Sequence, residues 1–336
     1  MATDMYPSIR STPGSERGGG VLTYLKRVGV SILFLMGLLA LLFLVSVLVV
    51  PKDNTEEAGM EQIGANGILG EPENTIDVLV LGDSEARSSI IPPELWKQKG
   101  YTAYVCGTSN QTLPYSFTML DRALQKQKPK IVILETLTIY RTIPSDDAMI
   151  DVLGRRFPVF RYHDRWKKLR SSDLSPERQA TYRYYSKGHW TSQIVQPSSN
   201  EPYMIPSQDT ATIDPLNKLY VRAIKARCDR NGAKLVLLSS PSSFNWNYQK
   251  HNGIQKLAKE LGCEYIDTNL MNDRLNIDWA QDTRDKGDHL NHAGAMKTSA
   301  FLAGYLEDTH LLTDHRDDAA YASWDEDVKK YEEELG

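Results

Sequence analysis

Cysteine is scarce in this 336-residue chain, with Cys106, Cys228 and Cys263 its whole supply. Three thiols cannot build the disulfide framework of a small secreted domain, so stability must come from a packed core, for which 41% hydrophobic residues suffice. A single Cys228–Cys263 bridge is open, and so are buried free thiols. No glycine-rich motif of the Walker or dinucleotide-binding type occurs, so no nucleotide cofactor is expected. A net charge of −4, from 39 Lys and Arg against 43 Asp and Glu, leaves no global footprint for nucleic acid. No metal is expected either: His292 follows His289 near Asp288, but a loop entering a helix explains that spacing and no third ligand is evident.

What is present begins with the 23 uncharged residues from Val28 to Val50, which at about 1.5 Å per residue span roughly 34 Å of helix, enough to cross a bilayer. A cleaved signal peptide has an apolar stretch of only about 7–15 residues ending at a small-x-small site. Here the stretch is longer and runs into Val49-Val50-Pro51-Lys52 with no such site. Lys26 and Arg27 precede it and Asp53, Glu56 and Glu57 follow, so the positive-inside rule places residues 1–27, with a balance of +2, in the cytoplasm. The expected product is a single-pass protein of the cell membrane whose remaining chain faces outward.

Beyond the membrane, residues 51–74 carry Pro51, Gly59, Gly64, Gly67, Gly70 and Pro72 and read as a linker. Residues 75–313 then alternate apolar strands with helical stretches. Strands are expected at Ile76–Leu81, Thr102–Cys106, Lys130–Leu134, Ala233–Leu238 and Glu264–Ile266. Helices are expected at Pro92–Lys99, Leu113–Gln127, Asp214–Arg230, Gly253–Leu261 and Ala293–Leu306. Strands too apolar to alternate, separated by helices, imply a parallel sheet covered on both faces, a three-layer α/β domain. An irregular insertion, 141–206, interrupts it, and its residues 155–190 hold ten Lys and Arg, three acids and eight aromatics. Such a segment is either a lid or binding surface, or a solvated subdomain over the sheet edge. Residues 314–336 carry nine acids against Arg316, Lys329 and Lys330 and read as a solvated helix or frayed end.

Ligands gather at the carboxyl ends of parallel strands. The first strand ends there in Gly82-Asp83-Ser84-Glu85, with Gly82 suited to a tight turn and Ser84 at a helix start, a place that suits a nucleophile. Near the far end, Asp285 and Asp288 flank His289. A serine hydroxyl needs a base at neutral pH, histidine suits that work, and a carboxylate would hold its tautomer.

With both ends in view, residues 75 to 310 resemble the SGNH, or GDSL-like, hydrolase superfamily: Ser84 matches its first block, Gly107 its second and His289 its last. The resemblance implies a flavodoxin-like sheet of order 2-1-3-4-5, Ser–His–Asp ester chemistry, and an oxyanion hole from the Ser84 backbone, Gly107 and an asparagine. Two departures stand out. Lys286 occupies the family's acid position, leaving Asp285, reached by a bulge at Gly287, with Asp288 as the alternative. The usual Gly-x-Asn-Asp block is missing, and Asn110 is the substitute donor. The span, the Gly107–Gln111 run, the Lys128-Pro129-Lys130 strand start and His289-Leu290-Asn291 are most similar to bacterial envelope proteins that work with membrane-bound O-acyltransferases (MBOAT) in teichoic acid D-alanylation or surface-glycan O-acetylation. The resemblance thus implies an MBOAT-family partner and an envelope polysaccharide or teichoic acid substrate.

Three functions follow as expectations: an acyltransferase, a stand-alone surface esterase or deacetylase using the same triad with water, or a non-catalytic binding module that lost its acid. Ser240-Pro241-Ser242, Asn245-Trp246 and His251-Asn252 lie on the same face, as pocket lining or as a simple loop. Glu135 ends the third strand as a buried carboxylate near Ser84 or as one satisfied by backbone donors.

Overall fold

A computed structural model describes residues 17–175, 177–199 and 202–336; the expected cytoplasmic stretch before Arg17 lies outside them. The first helix, α1 (Arg17–Val49), is continuous, and its stretch Thr23–Val49 is long and apolar enough to cross a membrane. A short helix, α2 (Ile63–Asn66), and a 3-10 turn, Gly67–Gly70, lead into β1 (Val78–Gly82). Then come α3 (Ser84–Ser89), α4 (Pro92–Lys99), β2 (Ala103–Gly107), α5 (Leu113–Ala123) and β3 (Ile131–Glu135). The insertion contributes α6 (Ser145–Arg156), α7 (Val159–Tyr162) and two 3-10 turns, His163–Lys168 and Ser171–Leu174. The chain closes with α8 (Pro215–Arg230), β4 (Lys234–Ser239), α9 (Tyr248–Leu261), β5 (Glu264–Asp267), α10 (Asn272–Leu275), α11 (His292–Asp308) and α12 (Ser323–Leu335).

All five strands are parallel, in the order β2-β1-β3-β4-β5. Side chains alternate across a strand, and both faces are buried. Leu79, Leu81, Val132, Leu134, Leu235 and Leu237 pack with Leu120 of α5, Val221 of α8 and Leu257 of α9. Val78, Val80, Ile131, Ile133, Val236 and Leu238 pack with Leu95 of α4 and Leu302 and Leu306 of α11. The three layers expected from the continuous apolar strands are thus present.

Residues 51–74 are not a free linker. Asn54, Ala65, Ile68 and Glu71 are buried. Asn54 donates to the carbonyls of Asn66 (3.2 Å) and Tyr182 (2.8 Å), and Tyr104 Oη of β2 donates to the Gly64 carbonyl at 2.7 Å. The glycines that suggested flexibility serve close packing instead: a Cβ on Gly67 would sit 2.2 Å from Tyr104 Oη.

The acidic tail is not frayed either. Trp324 and Tyr331 of α12 are fully buried, with Trp324 stacked on Trp96 at 5.4 Å. Lys187, itself wholly buried, reaches Glu71 at 2.9 Å and Asp327 of α12 at 2.6 Å, with Trp324 under its ammonium at 4.6 Å. A buried cation needs such partners, so part of the tail's acidity answers the insertion's basicity. The Lys187 carbonyl also accepts from Val105 N at 2.9 Å, covering the outer edge of edge strand β2. The three cysteines are free thiols, without the Cys228–Cys263 bridge.

Candidate active site

The loop that carries Ser84 is built by sterics. At the end of β1 a Cβ on Gly82 would lie 2.6 Å from Glu135 Cβ and 2.8 Å from Ala86 Cβ, so only glycine lets the chain turn there. Asp83 caps α3 by accepting from Glu85 N at 3.0 Å, and Ser84 occupies the first helical position, where its own N–H has no intrahelical partner. Gly107 is the register partner of Gly82, and a Cβ there would meet the Asp83 carbonyl at 3.0 Å. Gly107 therefore lies beside the Ser84 turn.

The histidine comes from the other end of the domain. His289 Nε2 lies 2.8 Å from Ser84 Oγ across 205 positions of sequence, and its Nδ1 lies 2.6 Å from Asp285 Oδ2. Asp285 Oδ1 also accepts from His289 N at 2.6 Å, so the carboxylate holds both ring and backbone. Lys286 (φ 65°) and Gly287 (φ 93°) both adopt the left-handed conformation, and this bulge lets an acid four residues back reach the ring. Asp288 Oδ1 is farther from the same Nδ1, at 3.5 Å. Burial pushes the Asp285 carboxyl up, but the hydrogen bonds from the His289 ring and backbone outweigh it and hold the pKa below the ordinary carboxylate range. A carboxylate that only accepts keeps the proton on Nδ1 and leaves the Nε2 lone pair for the serine.

Arg141 and Arg284 were given no role from sequence, whereas Ser242 and Asn245 were read there as pocket lining or a simple loop. Arg141, the first residue of the insertion, places Nε and a terminal nitrogen each 2.7 Å from Asp83 Oδ2. Asn245 donates from Nδ2 to Glu85 Oε1 at 3.0 Å and to Asp288 Oδ1, linking the residue after the nucleophile to the residue before the histidine. Ser242 Oγ adds bonds to the carbonyls of Gly287 (3.1 Å) and Asp288 (2.7 Å). The β4 loop is therefore not a simple loop, since Ser242 and Asn245 clamp the His289 loop. Trp246 and His251 turn away, to Asp267 at 3.0 and 2.8 Å. Arg284 donates to Ser88 Oγ at 3.0 Å and stacks on Trp190 at 4.2 Å.

Carboxyls crowd behind Ser84. Burial and then the neighbouring Asp83 push Glu135 up to about 8, while Leu137 N at 3.0 Å and Ser240 N at 3.5 Å bond its oxygens, so it is both close to the nucleophile turn and held by backbone donors. Glu85 is raised well above the ordinary range by burial, then by Asp83 and Glu135. Glu85, Asp288 and His289 each offer one atom within 4.8 Å of the others, the spacing of a metal site. The Asn245 amide, however, already directs N–H donors at both carboxylates, a chemistry opposed to holding a cation. His292 takes no part, its Nδ1 lying 3.2 Å from Tyr331 Oη. Asn110 has a left-handed backbone (φ 51°) and lines a cleft of about 340 Å³ with Thr108, Thr112, Asp147 and Arg161, to which neither Ser84 nor His289 contributes.

No protein-family model matches the chain, and a search of curated proteins finds no match. Among solved structures it is similar to a GDSL-like lipase from Bacteroides thetaiotaomicron, at 11% identity, covering 73% of this chain and 99% of that one, TM-score 0.37. It is also similar to a lipase/acylhydrolase from Enterococcus faecalis (9% identity, 70% and 96% covered, TM-score 0.36). A third likeness is to the psychrotrophic esterase EstA of a Pseudoalteromonas species (14% identity, 69% and 95% covered, TM-score 0.34). The chemistry is read from the geometry of this chain itself.

Proposed function

We propose that the chain is a serine enzyme of ester chemistry, anchored by α1. The observation that carries this is the continuous line from Ser84 Oγ through His289 to Asp285, 2.8 and 2.6 Å. In the proposed reaction Ser84 Oγ attacks an ester or thioester carbonyl while His289 Nε2 takes its proton, and Asp285 stabilises the imidazolium that forms. The Ser84 and Gly107 N–H groups receive the negative oxygen; Asn110, the third donor expected from sequence, lines a separate cleft and takes no part in this step. His289 then protonates the leaving group, and the acyl group remains on Ser84 until a second hydroxyl, activated by the same histidine, takes it. The 2.6 Å contact of Asp285 with His289 supports this reading over a non-catalytic module, whose motive was Lys286 at the acid position.

The acceptor we favour is a hydroxyl of an envelope polysaccharide or teichoic acid, with an MBOAT-type partner supplying the acyl group across the membrane and the domain on the outer side. The basic, aromatic insertion supports that reading by its chemistry. Substituting Ser84→Ala should abolish labelling of the full chain by a fluorophosphonate probe, and cells carrying it should lose the ester modification of their envelope polymer. Labelling that survives the substitution would overturn the mechanism. Brisk hydrolysis of p-nitrophenyl acetate by the purified chain, with the polymer ester unaffected, would place the acyl group on water instead.

A further inference from the structure

We propose that the face of the insertion surrounding the last turn of α1 is an interfacial site for anionic lipid headgroups, with Trp166 dipping into the bilayer surface. This rests on α1 spanning a membrane and is independent of the ester chemistry.

Along α1, Leu33, Phe34, Leu35 and Leu44 are exposed, whereas Ser46, Val49 and Val50 are buried. What covers them is the insertion. Val159 N donates to Ser46 Oγ at 3.2 Å, Arg165 donates to the Val49 carbonyl at 2.5 Å, and Tyr162 packs on Val49 and Val50. On the side of α1 that carries Ser46 and Val49, protein cover begins between Leu44 and Ser46, while Val47 on the other side stays 40% exposed. From Val28 to Val45 the uncharged helix measures about 27 Å at about 1.5 Å per residue, close to the roughly 30 Å hydrocarbon thickness. The covered turn therefore sits at the headgroup layer, and the segments packed on it share its depth.

Those segments carry the chemistry of that layer. Trp166 is 65% and Leu174 76% exposed, although both lie on turns that dock against α1. Arg156, Lys168, Arg170 and Arg178 are exposed and form no ion pair among the described residues. The exposed acids between 155 and 178 are Asp164, already bonded to Lys167 at 3.1 Å, and Glu177. An exposed indole beside unpaired cations suits the boundary between acyl chain and phosphate. Free phosphate would answer the cations but not Trp166 and Leu174, so the occupant is the leaflet itself.

The chain has six tryptophans. Trp96, Trp246, Trp279 and Trp324 are buried, leaving Trp166 and the 43%-exposed Trp190 open to a quencher. The test places the full chain in nanodiscs of phosphatidylcholine, with or without phosphatidylglycerol, whose acyl chains are brominated near the carbonyl. Wild-type tryptophan emission should be quenched, more strongly with phosphatidylglycerol. Trp166→Phe should remove the larger part of the quenching, and Lys168→Glu with Arg170→Glu should remove its dependence on phosphatidylglycerol. Quenching that survives Trp166→Phe, or that ignores lipid charge, overturns the site while α1 still holds the chain in the disc. Failure to enter discs overturns the span, and the site with it. Neither result bears on fluorophosphonate labelling of Ser84, so the two readings fail separately.

Discussion

Replacing Asp285 by Asn tests which acid serves His289. The Asn side chain fits the same space and can still accept from His289 N, but it carries no charge and can turn an N–H toward Nδ1, selecting the tautomer that cannot take the serine proton. When His289 becomes an imidazolium, the lost attraction between unit charges about 4 Å apart at an effective dielectric of about 20 is about 4 kcal/mol. The Asp285 side chain is 35% exposed, and solvent there screens the interaction to about 2–3 kcal/mol. That corresponds to a loss of about 30- to 150-fold in kcat/KM. Asp288 is equally exposed but stands 3.5 Å from the same nitrogen, with its oxygen already bonded by Asn245. Asp288→Asn should therefore cost no more than about fivefold. The assay is steady-state hydrolysis of p-nitrophenyl acetate by the full chain in detergent, with both variants checked for unchanged melting. A larger loss for Asp288→Asn than for Asp285→Asn would refute the assignment and the argument from the Gly287 bulge.

Other perturbations probe the surroundings. Because Glu135 is raised to about 8 in the folded chain while an unfolded glutamate titrates near 4.3, its contribution to stability is full below the unfolded value and is lost as pH climbs toward the folded one. Glu135→Gln should accordingly gain in melting temperature relative to wild type between pH 5 and 8, and parallel curves would contradict the raised pKa. Asn245→Leu leaves Glu85 and Asp288 facing each other without a donor and should cost about 1–3 kcal/mol in denaturant unfolding, together with a fall in kcat; an unchanged midpoint would remove Asn245 from the clamp. Truncation before Ser323 strips Asp327 and Trp324 from buried Lys187 and should leave the domain unstable to limited proteolysis, whereas a resistant fragment would show the tail to be dispensable.

The parts of the fold legible in sequence are those fixed by local chemistry. Apolar strands such as Val78–Leu81 and Ile131–Leu134 could only be buried on both faces, and the strand-end turn Gly82-Asp83-Ser84 carries its own steric requirement. The boundaries moved by two to five residues: β1 starts at Val78 rather than Ile76, and α5 ends at Ala123 rather than Gln127. Helix α9 starts at Tyr248 rather than Gly253, because Asn247 caps it by accepting from Lys250 N at 2.9 Å. What composition misread were segments whose partners lie far away. Glycines and acids at 51–74 looked like a tether, and acids at 314–336 like a solvated helix or frayed end rather than the docked helix α12, because Lys187, the partner of both Glu71 and Asp327, lies in a different segment from either. Arg141 was invisible for the same reason, since its role exists only where the insertion meets Asp83. Asn245 was named from sequence as pocket lining or a simple loop, and the need of Glu85, beside Ser84, for a buried donor is what its amide meets.

The insertion cannot be treated as an appendage that could be removed to separate binding from chemistry. Its first residue, Arg141, neutralises Asp83 under the nucleophile. Its middle packs on the last turn of α1 through Arg165. Its later part reaches the catalytic elements by backbone: Trp190 N donates to the Arg87 carbonyl of α3 at 2.9 Å, His292 N at the start of α11 donates to Ser192 O at 2.7 Å, and Gln196 bonds Thr283 and Lys286 at 2.9 and 3.1 Å. One stretch of chain thus touches α1, the Ser84 turn and the His289 loop. Deleting it would strand a buried Asp83 without its cation, a loss on the scale of a broken buried ion pair, about 3–5 kcal/mol. It would also free the loop that holds His289. Any loss of activity in such a deletion therefore reports on the triad before it reports on substrate, and point changes at exposed residues such as Trp166 are the way to ask about binding alone.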